Sequence, residues 1–80
     1  MLFIAKVSFS LFQNMKANYS DIAEACGNNS KRIIEVARMM GFVAEDWYIA
    51  SSEVAVELNY LPREQAIATV KHMLEQIGDL

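Results

Sequence analysis

Asp21-Ile22-Ala23-Glu24-Ala25-Cys26-Gly27-Asn28-Asn29-Ser30-Lys31-Arg32-Ile33-Ile34-Glu35-Val36 is the stretch on which the fold turns. Ser20, just before it, is a good N-cap residue, and Glu24 lies one position beyond capping-box spacing. Ile22, Ala23 and Cys26 give one apolar face, and Gly27 ends the element as a residue free to take positive φ. Asn28-Asn29-Ser30 follows as a polar turn, with Ser30 or Asn29 placed to cap what comes next. Ile33, Ile34, Val36, Ala37 and Met40 then recur at helical spacing until Gly41 stops them. The spacing predicts a short helix, a tight turn with glycine and a second helix.

Downstream, the pattern returns. Ser52-Glu53-Val54-Ala55 matches Ser20-Asp21-Ile22-Ala23 at an offset of 32, and Leu58-Asn59 matches Cys26-Gly27. With one inserted residue the offset becomes 33, and Ile33, Ile34, Ala37, Arg38 and Met40 fall on Ala66, Ile67, Val70, Lys71 and Met73. Two copies of one unit account for most of residues 20–74; chance alignment of short amphipathic helices is the alternative. Between them, Phe42–Ser51 reads as a connector with Trp47-Tyr48-Ile49 as a short strand. Upstream, residues 2–16 carry both an alternating pattern (Phe3, Ala5, Val7, Phe9, Leu11) and a helical stripe (Ile4, Val7, Leu11, Met15), and the two remain open. The expectation is an all-α compact bundle of about five short helices, with at most a minor β pairing of Phe3–Val7 with Trp47–Ile49. It forms one domain over 1–80, a first unit over 1–43 and a second helical repeat over 44–80. Ile22, Ala23, Cys26, Ile33, Val36, Leu58, Ala66 and Val70 are its expected core.

Eighty residues allow one small domain and exclude a two-domain cofactor enzyme. With 54% hydrophobic and 21% charged residues the chain is too apolar for disorder, and its core is thin enough to invite a partner. Cys26 stands alone, so no internal disulfide forms, which suits a reducing, cytoplasmic setting. Met1–Phe12 is apolar but interrupted by Lys6, Ser8 and Ser10 and shorter than a membrane span of about 20 residues; it reads as a core element, with no membrane role. The net charge of −3 is uneven: residues 1–40 hold five cations and three carboxylates (+2), residues 41–80 two cations and seven carboxylates (−5). Any surface facing phosphate therefore belongs to the first half.

The quoted segment resembles the helix-turn-helix DNA-binding superfamily. Ala23 stands where that pattern wants a small residue, Gly27 stands at the turn four residues on, and Ile22, Cys26, Ile33 and Val36 occupy its apolar positions. Phe9–Ala17 looks like the supporting first helix, and Met39-Met40-Gly41-Phe42-Val43 like the exit of winged members. Two features depart from it: Asn28 replaces the usual apolar residue after the turn glycine, and Phe42–Ser51 leaves little room for a wing hairpin.

The resemblance implies a small sequence-specific transcriptional regulator, with the helix starting near Ser30 read into the major groove of double-stranded DNA. Asn28, Asn29, Ser30, Lys31, Arg32 and Glu35 are then the DNA-facing residues, because asparagine pairs with adenine and arginine or lysine with guanine. Capping alone also favours Asn and Ser there. The second unit, with Tyr60-Leu61-Pro62 at its turn, reads as structural or oligomeric. Trp47, Tyr48, Tyr60 and Leu61 are its candidate partner-binding residues, most simply in a homodimer. The alternative is a non-enzymatic protein-binding module, such as an antirepressor or phage-type inhibitor, engaging a protein through the acidic C-terminal half.

Nothing points to catalysis, a cofactor or a metal. His72 with Glu75 falls short of a three-ligand site, Glu45-Asp46 reads as a solvated connector and Ser51-Ser52-Glu53 as a helix cap. Cys26 reads as a small buried hydrophobe, the three glycines are isolated, and the methionines fill core.

Overall fold

Among the described residues, helix formation begins at Asn18. Its backbone N–H donates to Asp21 Oδ2 at 3.0 Å and its Oδ1 accepts from the Asp21 N–H at 3.0 Å, a reciprocal capping box. The helix it opens, α1 (Tyr19–Ala25), therefore has Ser20 inside it; the Ser20 hydroxyl donates to Asn18 Oδ1 at 2.6 Å instead of capping. The computed structural model describes residues 15–78. Among them are three further helices: α2 (Ser30–Met39), α3 (Trp47–Glu57) and α4 (Arg63–Ile77).

The all-helical expectation holds for the described residues, with four helices and no strand. Met15–Asn18 is not helical, and the rest of the expected leading helix, like Phe3–Val7, lies outside the described residues. Trp47-Tyr48-Ile49 is not a strand: it is the first turn of α3. Asp46 makes the difference, since its Oδ1 accepts from the Ile49 N–H at 2.8 Å and caps the helix. Ser51 is accordingly no cap. It is fully buried in mid-helix, and its hydroxyl donates to the Trp47 carbonyl at 2.7 Å, which satisfies it locally.

All eight expected core residues are buried, joined by Ala17, Ala37, Ala50, Val54 and Ala55. The largest of these side chains are leucine and isoleucine, and six of the thirteen are alanine, so the helices approach closely. Packing runs crosswise through the sequence. α1 and α2 each lie mainly on α3, and α4 packs on α1 and α2, whereas α1 touches α2 little and α3 touches α4 less.

A long-range clasp secures the open end. The Arg63 N–H donates to the Met15 carbonyl at 2.7 Å, and Arg63 Nη2 meets Asp21 Oδ1 at 3.0 Å. The start of α4 is thus tied to the start of α1, 42 residues away in sequence.

Candidate functional site

The turn between α1 and α2 is built by two consecutive left-handed residues, Gly27 (φ 65°) and Asn28 (φ 56°). Glycine adopts this conformation without penalty, and asparagine is among the few other residues that tolerate it. The Gly27 and Asn28 N–H groups donate to the Glu24 and Ala23 carbonyls, both at 2.9 Å, closing the end of α1. Asn29 then caps α2, its Oδ1 accepting from the N–H groups of Lys31 (3.0 Å) and Arg32 (3.3 Å).

Asn28, Asn29, Ser30 and Lys31 are all exposed at the start of α2, while Ile33, Val36 and Ala37 turn inward. The cap engages Asn29 Oδ1 twice, so Asn28 has the less committed amide for a bidentate contact. Arg32 is half-buried, and its Nε is shielded from solvent without a hydrogen-bond partner. Glu35 is also half-buried and meets Arg38 at 3.4 Å, a surface pair of small energetic weight.

Trp47 was grouped with a distant partner surface on sequence grounds, but it stands at this site. A cleft of about 230 Å³ is lined by Ala23, Asn28, Ser30, Ile33 and Trp47. The indole edge also packs against Tyr48 at 5.9 Å and tilts over Tyr19 at 6.3 Å, with Tyr19 and Tyr48 edge-to-face at 4.9 Å. Asp46 preceding an apolar run was the sequence signal that puts Trp47 on a helix, and the aromatic β-propensity of Trp47-Tyr48-Ile49 obscured it.

The four expected partner residues do not form one patch. Tyr60 and Leu61 follow the far end of α3, about 16 Å along its axis from Trp47. Tyr60 is well exposed, whereas Leu61 packs against the core.

Cys26 is buried, and burial pushes its thiol up to about 11, with the Arg32 cation opposing the rise. The thiol is therefore protonated at neutral pH and suited to packing rather than attack. His72 Nδ1 and Glu75 Oε1 lie 3.7 Å apart on the exposed side of α4. Among the described residues, no group of three or more His, Cys, Asp or Glu is placed to hold a metal ion, and no helix is long and apolar enough to cross a membrane.

No family model, curated protein or solved structure matches this chain.

Proposed function

We propose that the chain is a small DNA-binding regulator in which α1, the Gly27 turn and α2 act as a helix-turn-helix unit. The observation that carries this reading is the coincidence at the turn: Ala23 is buried, Gly27 is left-handed, and the first turn of α2 offers Asn28, Asn29, Ser30 and Lys31 to solvent. In the major groove, Asn28 would pair with adenine, Lys31 and Arg32 would meet guanine or phosphate, and Ser30 would serve either base. The second unit, α3 and α4, supports this one. Its turn contains Leu61 and Pro62 and no left-handed residue, so it does not repeat the reading surface. Paired half-sites would require a second copy of the chain.

The test is retention of the pure protein on random genomic duplex fragments across a salt series, with sequencing of what stays bound and sedimentation to read the oligomer. Enrichment of one sequence supports the reading; no retention at low salt rejects it. A second reading, a protein-binding module, draws on one observation. Residues 41–80, which supply Trp47 to the cleft, hold two cations against seven carboxylates, a balance that opposes phosphate.

A further inference from the structure

α3 carries apolar side chains on both its inner and its outer face, broken by Ser51, Ser52, Glu53 and Glu57, a composition normal for a helix covered on most of its surface. Its inner face is covered: Ala50, Ser51, Val54, Ala55 and Leu58 are buried. Among the described residues, nothing covers its outer face. Tyr48, Ile49 and Val56 are exposed, Val56 at 69%. Ser52 and Val56, one turn apart, form a ridge with a groove on either side. One groove, about 320 Å³, runs between Phe42 and the carboxylate-bearing Glu53 and Glu57; the other, about 310 Å³, runs beside Ala17, Tyr19 and Asn59. A ridge flanked by two grooves is the surface on which a second helix seats its own side-chain rows.

The carboxylates lining the Phe42 side of this face select the occupant. From Met39 to Pro62 the chain carries Glu45, Asp46, Glu53 and Glu57 and no lysine, arginine or histidine. A second copy seated here about a two-fold axis would bring Glu53 and Glu57 against their own equivalents, which disfavours self-association at this site. We infer that the outer face of α3 is the docking surface for an amphipathic helix of another protein, with an apolar stripe on the Ser52–Val56 ridge and lysine or arginine flanking it opposite Glu53 and Glu57. This binding mode is helix-in-groove recognition with an electrostatic rim. It is independent of whether α2 reads DNA.

The experiment titrates the full chain with two synthetic helical peptides that share a leucine stripe, one flanked by lysine and the other by glutamate. Calorimetry gives affinities, and backbone amide shifts locate the contact. The lysine peptide binds saturably with shifts centred on Ser52–Glu57, about tenfold or more tighter than the glutamate peptide, a difference of about 1.4 kcal/mol. Val56→Asp weakens it by about tenfold or more, and Glu53→Lys with Glu57→Lys reverses the preference toward the glutamate peptide. Circular dichroism of each variant checks that the helices persist; because these side chains lie on the outer face, a change of charge there leaves the core intact. Binding of the lysine peptide that follows neither substitution overturns the inference. So does a dimer in sedimentation that Val56→Asp dissociates, since that would make a second copy the occupant.

Discussion

Asp21 does two jobs with one carboxylate: Oδ2 completes the Asn18 capping box and Oδ1 holds Arg63. The Arg63 hydrogen bond draws the Asp21 carboxyl below its ordinary range against the opposing effect of burial, and the Asn18 N–H adds to the lowering. A carboxyl with a depressed folded value contributes stability above its unfolded value of about 3.9, and that contribution is lost as pH falls through the folded value. Asp21→Asn is therefore expected to lower Tm at neutral pH and to flatten the acid limb of a Tm-against-pH curve. Arg63→Ala should lower Tm as well, and the double variant should fall short of the sum, because the two side chains share one interaction. Additive losses would place their effects elsewhere. Alanine positions differ in the same local way. Ala66 is wholly buried, so Ala66→Leu overpacks the core and costs about 1–3 kcal/mol in urea unfolding. Ala23 borders the open cleft beside Trp47, so Ala23→Leu should cost less and shift the emission of the sole tryptophan.

Caps decide the elements. Asn18, Asn29 and Asp46 each accept a backbone N–H through a side-chain oxygen, whereas Pro62, before α4, makes no such bond. Asn29→Ala is expected to cost about 0.5–2 kcal/mol by chemical denaturation, with helix loss concentrated in α2. An unchanged midpoint would mean the α2 start is held by packing alone. The helix periods of α1, α2 and α4 were legible in the sequence because each buries one stripe: Ile22 with Cys26, Ile33 with Val36 and Ala37, and Ala66 with Val70. α3 was legible only in its second half. Its bulky start has strand-like residues, its apolar positions lie on both faces, and Ser51-Ser52 imitates a cap; only the tertiary position of Ser51 reveals its hydroxyl bonding back to Trp47. Cys26 and Leu58 are the C-caps of α1 and α3 at the offset of 32, and Asn29 and Pro62 the N-caps of α2 and α4 at 33. Asn59, however, is not left-handed as Gly27 is, because the inserted residue gives the second turn a different path.

At the scale of the whole molecule, the described tryptophan and tyrosines are kept out of a core made mainly of alanine and branched aliphatics, against which Phe42 packs half-buried. Trp47, Tyr48 and Tyr19 collect beside the turn, and Tyr60 lies at the opposite end of α3. The run 28–31 was legible as an exposed polar helix start; the cleft that joins it to Trp47 was not, since it depends on α3 crossing α1 and α2. For the DNA reading, Lys31→Ala should weaken binding to all sequences alike and reduce the salt slope by about one. Arg32→Ala should cost about 1–3 kcal/mol on the preferred sequence if its guanidinium reaches a guanine edge. The exposed Lys71 on α4 is a suitable control cation, unlike Arg63, which clasps Asp21, and Lys71→Ala should leave retention unchanged.

The crosswise packing has a consequence for synthesis. α1 and α2 leave the ribosome before α3, the surface that both need, and the Asp21–Arg63 clasp waits for a residue later still. Among the described helices there is thus no well-packed pair before α3 is made, and their order arrives late and all together. A fragment ending at residue 45 should show little helix by circular dichroism, although it holds the complete α1–turn–α2 sequence. Supplying residues 46–80 in trans should restore helix to both pieces, since each completes the other's core.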